Sequence, residues 1–151
     1  MVCALTSPFG PLWWQTDSDG ALVRMAFGEN PEAIPGFDAV AGQLQEYFAG
    51  TRRQFDLELR PAGTPFQLQV WEAVVAIPFG ETRTYGQLAV ALGRPGAARA
   101  VGAANGANPI CPVIPCHRVV GSHGALTGYA FGMSLKRALL DLEAGVRPLL
   151  C

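Results

Sequence analysis

Only two histidines, His117 and His123, occur in the 151 residues, and the four cysteines, Cys3, Cys111, Cys116 and Cys151, show no CxxC or other metal-ligand spacing. That argues against a zinc site and for a reducing, intracellular setting, which we read as cytoplasmic. No apolar run approaches the ~20 residues needed to cross a bilayer. No basic segment precedes an apolar core at the N-terminus, so no signal peptide is expected. Charged residues make up only 15% against 50% hydrophobic, which excludes a disordered chain and indicates one domain or two small packed lobes. Acidic residues are missing altogether from Thr82 to Leu140, where Arg83, Arg94, Arg99, Arg118, Lys136 and Arg137 stand. Residues 1–63 carry four arginines against eight acids, whereas residues 64–151 carry seven cations against four acids. The net charge of −1 therefore hides a one-signed stretch, either a solvated face or the footprint of phosphate contacts.

What is there centres on Ile114-Pro115-Cys116-His117-Arg118-Val119-Val120. A free thiol with pKa about 8.5 is only roughly 3% ionised at pH 7, and an adjacent imidazole can change that. Pro112 and Pro115 keep the approach to Cys116 non-helical and stiff. A bare Cys-His pair is also compatible with a buried structural cysteine, so its surroundings decide.

Leu12–Thr16 and Ala21–Phe27 read as strands around the turn residues Asp17-Ser18-Asp19-Gly20, and a third strand is expected at Phe55–Leu59. Phe37, Val40, Ala41, Leu44, Tyr47 and Phe48 recur at helical spacing, with Gly50 as a stop. This predicts an α+β lobe over residues 1–60, a small antiparallel sheet with one helix, serving as structural support without a catalytic cluster. Arg60-Pro61-Ala62-Gly63 reads as a linker to a mainly helical domain over 61–151. Thr64, Pro65 and Gln67 fit a capped helix start, and Thr84 with Gln87 repeats the signal. A helix over Ala97–Asn105 follows, and the pair suggests a helix-turn-helix. Its sequence is almost bare: Ala97, Ala98, Ala100, Gly102, Ala103 and Ala104, with Arg99 the only long side chain. A helix is about 10–12 Å across with side chains and the DNA minor groove only about 6 Å wide, so a smooth helix suits groove entry. It suits tight helix packing equally. Val119-Val120 and Ala125-Leu126 around Gly121–Gly124 predict a hairpin or wing, with His123 an exposed turn residue. A last helix at Ser134–Ala144 buries Leu135, Ala138, Leu139 and Leu142. Glu143 lies in its final turn, where the helix dipole disfavours a carboxylate.

Thr84-Tyr85-Gly86-Gln87-Leu88-Ala89, Ala97-Ala98-Arg99-Ala100-Val101-Gly102, Asn108-Pro109, Pro115-Cys116-His117-Arg118-Val119 and Gly128-Tyr129 are five ordered blocks between about Thr64 and Gly145. Together they resemble the O6-alkylguanine-DNA alkyltransferases, the methylated-DNA–protein-cysteine methyltransferases. The resemblance implies a ribonuclease H-like N-terminal lobe, a winged helix-turn-helix, and a monomer that repairs double-stranded DNA by direct reversal, without metal, organic cofactor or membrane. Cys116 is implied as the alkyl acceptor, His117 as its base and Glu143 as the imidazole's partner. Tyr85 is implied to donate to the guanine ring and to contact phosphate. Arg99 would fill the stack after nucleotide flipping, with Ala97, Ala98, Ala100, Gly102 and Arg118 also on DNA. Asn105, Val119, Tyr129, Ala130 and Phe131 would form the pocket, the Val119 carbonyl accepting from the guanine amine, and Asn108 the hinge. Guanine carrying an O6-alkyl group is the implied substrate, with O4-alkylthymine beside it. Ala130 stands where many relatives have serine, Phe131 replaces glycine or tryptophan, and Cys111 replaces proline or serine; we read Cys111 as a packing residue. The thioether product cannot be hydrolysed, so the protein would act once. A non-catalytic damage sensor and a cysteine hydrolase are the other classes. The first would lack Cys116, and the second would leave the acid-free stretch and the bare helix without a purpose.

Overall fold

The computed structural model describes residues 1–145; Arg147 and Cys151 lie outside them. Strands β1 (Val2–Ser7), β2 (Gly10–Thr16) and β3 (Leu22–Phe27) form an antiparallel meander, and the two-residue β4 (Ile34–Pro35) adds parallel to β1, giving the order β3-β2-β1-β4. The turn between β2 and β3 forms as its residues direct: Asp17 accepts from the N–H groups of Asp19 and Ala21. Strand β1 was not legible in the sequence. Phe55–Leu59 is not a strand. The Gln43 side chain takes both the Asp56 N–H and its carbonyl, so only Leu59 is left to bridge β3, at Leu22.

Helix α1 (Ala39–Phe48) is capped by the Asp38 side chain and packs Val40, Ala41 and Leu44 against the sheet, with Tyr47 buried among Phe48, Phe55 and Phe79. Phe37 precedes the helix and is 92% exposed, so it is not part of the apolar stripe. Helices α2 (Pro65–Val75) and α3 (Tyr85–Ala91) both begin with complete capping boxes, Thr64 with Gln67 and Thr84 with Gln87. Gly93, at φ +73°, ends α3 in a left-handed turn, and α4 (Ala98–Gly106) follows. The Trp71 indole N–H donates to the Ala104 carbonyl at 2.8 Å, pinning α2 to α4. One continuous core joins Leu12, Trp14, Leu22 and Met25 of the sheet to Val70 and Val74 of α2 and to Val101 and Ala104 of α4.

The segment carrying Cys116 is held from both sides. Met25 in β3 exchanges backbone hydrogen bonds with Pro109 and Cys111, at 2.9 and 3.0 Å. Beyond a 3₁₀ turn at Cys116–Arg118, β6 (Val119–Val120) pairs in parallel with β5 (Arg83–Thr84). The hairpin expected after Val120 does not form. Gly121 N–H closes on the Ala125 carbonyl at 2.8 Å, curling 121–125 into a tight turn, and Ala125-Leu126 joins no strand. His123 is exposed there. Helix α5 (Met133–Glu143) ends the described chain, Gly145 closing it at φ +75°.

Candidate active site

Every residue from Cys111 to Val120 is buried. In an apolar run that burial costs little, but it also takes in His117 and Arg118, whose polar groups then need partners. Asn108 supplies the local frame: its Oδ1 accepts from the Ile110 N–H, and its Nδ2 donates to the Ile114 carbonyl at 2.7 Å and to Cys111 Sγ at 3.1 Å. Asn105 Nδ2 donates to the Cys116 carbonyl.

Glu143 gathers the charged partners. Its carboxylate accepts from His117 Nε2 at 2.7 Å, from Arg118 Nε at 2.7 Å and Nη2 at 3.0 Å, and from the Tyr47 hydroxyl at 2.5 Å. Burial pushes this carboxyl upward, but the bonds and charges of His117 and Arg118 outweigh it and hold the pKa at about 2. His117 is fully buried, and desolvation lowers its pKa despite Glu143, so the imidazole is neutral. Since Nε2 faces a carboxylate, Nε2 carries the proton. Nδ1 is left with its lone pair and has no hydrogen-bond partner among the described residues.

Arg118, expected on DNA, is instead interior. Only 6% exposed, it makes a two-point pair with Glu143, donates to the Ile77 carbonyl at 2.7 Å and lies over the Phe79 ring. A guanidinium with these donors engaged has little left for a phosphate. Lys136 is likewise buried, and its three N–H donors go to the carbonyls of Val119, Thr127 and Gly128 at 2.7, 2.7 and 3.3 Å. Among the described residues no carboxylate pairs with it, and its charge and that of an ionised Cys116 each favour the other.

Cys116 Sγ lies 3.3 Å from Cys111 Sγ. The hydrogen bond from Cys111 lowers the Cys116 pKa against burial, with Asn108 and Lys136 helping. Cys111 is pushed well up by the same bond and by burial, so it remains the protonated partner. The two sulfurs sit at one wall of a pocket of about 270 Å³, lined also by Tyr85, Gly102, Asn105, Gly106, Gly128, Tyr129 and Ala130. Asn105 Oδ1 and the Tyr129 hydroxyl are buried there without a protein partner among the described residues. Tyr85, at the rim, exchanges hydrogen bonds with Thr127 at 3.3 Å, and its ring lies against Gly102 of α4.

Val119 and Phe131 do not line this pocket. The Val119 carbonyl takes Lys136, and Phe131 packs edge-on to Phe27 and Tyr129. On α4 the outward residues are Arg99, Ala100, Ala103, Gly106 and Ala107, with Ala97, Ala98 and Gly102 half-buried beside them. Sequence reasoning missed Tyr47, which reaches the site from the lobe expected to be support only. It also missed Lys136, although Lys136, Leu139 and Glu143 share one face of α5 at helical spacing, a signal that two charges point inward with a leucine.

The family described as "6-O-methylguanine DNA methyltransferase, DNA binding domain" matches residues 65–145. A Mycobacterium tuberculosis protein named methylated-DNA–protein-cysteine methyltransferase is 56% identical over 115 residues, 76% of this chain and 70% of that one. One of the same name from Methanosarcina barkeri is 48% identical over 149 residues, 92% and 94% of the two chains. Among solved structures, M. tuberculosis OGT in complex with DNA superposes with a TM-score of 0.88 at 45% identity, covering 98% of this chain and 95% of that one. The O6-methylguanine-DNA methyltransferase of Pyrococcus kodakaraensis gives 0.60 at 25% identity, covering 95% and 99%. With its own Cys116-His117 pair inside the matched region, this chain belongs to the methylated-DNA–protein-cysteine methyltransferase family.

Proposed function

We propose that this protein reverses alkylation damage in DNA directly, moving the alkyl group of O6-alkylguanine onto Cys116 Sγ once per molecule. The observation that carries the reading is the placement of Cys116 on a 270 Å³ pocket beside a neutral histidine whose other nitrogen is fixed by Glu143. Displacement at a saturated carbon needs an ionised sulfur in line with the departing oxygen. His117 Nδ1 takes the thiol proton, through a water, and the Cys111 S–H, Asn108 and the Lys136 charge favour the thiolate. The sulfur–carbon bond forms as the carbon–O6 bond breaks, and the Tyr85 hydroxyl at the rim donates to the ring that leaves with the electron pair. Asn105 Oδ1, an acceptor without a protein donor, suits the exocyclic amine of guanine better than the Val119 carbonyl, which Lys136 already occupies. O4-alkylthymine presents the same alkyl ether in a smaller ring.

A base in duplex DNA cannot reach a sulfur buried behind α4, so the damaged nucleotide is flipped out, at a cost of a few kcal/mol that is lower for a weakened alkylated pair. The outward face of α4 enters the minor groove and Arg99 occupies the vacated stack. Ala97, Ala98, Ala100 and Gly102 let the backbone approach, and Asn108 couples this helix to the acceptor segment as a hinge.

The test is intact-protein mass after incubation with a duplex containing O6-methylguanine, with Cys116→Ala as control. One added methyl on the wild type alone is expected. Binding without mass gain would leave a damage sensor and sink the transferase reading, and turnover of an acyl substrate would point to a hydrolase.

A further inference from the structure

Alkyl transfer consumes one thiol, yet two thiols stand on the same wall of the pocket. Cys111 and Cys116 are both buried, their sulfurs are 3.3 Å apart, and Cys3, the other cysteine among the described residues, lies in the N-terminal core. We infer that Cys111 is a resolving thiol, and that the Cys111–Cys116 pair is an oxidation site at which a peroxide turns the acceptor into a reversible disulfide.

Three observations support it. First, distance: a disulfide bond is about 2.05 Å, so the two sulfurs must close by only about 1.2 Å from where they stand. Second, placement: Asn108 Nδ2 donates to Cys111 Sγ at 3.1 Å, which holds that sulfur in contact with Cys116 Sγ. The same N–H stabilises Cys111 as it gives up its proton. Third, access: a pocket of about 270 Å³, whose lining includes the exposed residues Gly106, Gly128 and Ala130, admits a molecule as small as hydrogen peroxide. The roles divide as resolution requires, since Cys116 is the sulfur favoured as thiolate and Cys111 the one kept protonated by its neighbour and by burial.

The chemistry balances with peroxide as the named oxidant. The Cys116 thiolate attacks one peroxide oxygen, the O–O bond breaks, and a sulfenic acid forms with release of one water. Cys111 then attacks that sulfur; the S–S bond forms, the S–O bond breaks, and oxygen leaves with the Cys111 proton as a second water. Two hydrogens are lost from the protein and the peroxide is reduced. Without a resolving thiol, continued oxidation runs on to sulfinic acid, which thiols do not reverse. Loss of alkyl acceptance on oxidation rests on the reading of Cys116 as the acceptor, whereas formation of the bond does not.

Trypsin cutting after Arg99 and Arg118 releases residues 100–118, which contain both cysteines and no other. The native protein is treated with a roughly tenfold molar excess of hydrogen peroxide, enough for the two equivalents that sulfinic acid requires, then blocked with iodoacetamide, digested and weighed, with alkyl acceptance from O6-methylguanine DNA followed in parallel. The expected product is a 100–118 peptide about 2 Da lighter that takes no blocking group until reduced with dithiothreitol. Acceptance falls with its appearance and returns on reduction. In Cys111→Ser, recovery after the same treatment is expected to drop on the order of tenfold, with Cys116 carried to sulfinic acid. Sulfinic acid on Cys116 of the wild type, or free thiols in 100–118 while acceptance falls, overturns the inference, as does full recovery of Cys111→Ser. A peptide lighter by two hydrogens from a protein that never accepts an alkyl group upholds the disulfide and refutes the transferase.

Discussion

A carboxylate in the last turn of a helix sits against the negative end of the helix dipole, at a cost of roughly 0.3–1 kcal/mol. Glu143 has also given up its water, its side chain being only 1% exposed. Both costs are offset by donors converging from Tyr47, His117 and Arg118. With the folded pKa near 2 and the unfolded value near 4.5, the ionised form stabilises the fold at pH above 4.5, and that contribution is lost as pH falls toward 2. The expected loss is about 3 kcal/mol between pH 5 and pH 2. Urea unfolding across that range checks it, and Glu143→Gln is expected to be less stable at pH 7 and to lose most of the slope; an unchanged slope would place the acid sensitivity elsewhere. A carboxylate at a helix C-terminus is anomalous and calls for a partner, and the family resemblance supplied His117 as that partner. The burial of Arg118 and Lys136 was not legible, because a cation defaults to the surface and nothing local says that carbonyls wait for it inside.

Elements whose cause lies within a few residues were readable. Both capping boxes and the glycine stops stand where Thr64, Thr84, Gly50, Gly93 and Gly145 put them. Elements that need a distant partner were not: β6 pairs with β5 across more than thirty residues instead of turning back as a hairpin, and in Phe55–Leu59 the Asp56 N–H and carbonyl go to the Gln43 side chain. Helix α4 lies between these cases. Its bareness was visible, but which face points outward depends on Val101, Ala104 and Asn105 being buried. That leaves Ala100, Ala103 and Gly106 as a strip without side chains beyond a methyl. If this strip enters a groove about 6 Å wide, a single larger side chain on it blocks the approach. Ala103→Leu, a residue of similar helix propensity on an exposed position, should leave the melting temperature nearly unchanged. Its affinity for duplex DNA should fall on the order of tenfold or more, while Ala91→Leu at the exposed end of α3 serves as control. Fluorescence anisotropy with a labelled duplex reads both, and equal affinities for the two variants would mean that α4 stays out of the groove.

For the molecule as a whole, charge asymmetry survives the structure in reduced form. Six cations stand in the acid-free stretch, but Arg118 is spent on Glu143 and Ile77, and Lys136 on three carbonyls. Arg94, Arg99 and Arg137 are exposed, and Arg83 is half-buried beside Glu81. Each phosphate neutralised contributes about −0.9 to the slope of log K against log salt on duplex DNA. The described surface therefore supports a slope of about −2 to −4, shallower than the −5 or more that the bare count of cations suggests. Weak backbone attraction of this size fits the proposal that the protein leaves undamaged DNA readily and gains its hold from a flipped base. The slope is measured by titrating Cys116→Ala, which lacks the proposed acceptor thiol, with duplex DNA between 50 and 200 mM salt. A value near −6 would require the two interior cations to reach phosphates, and with them the Glu143 cluster to open on binding.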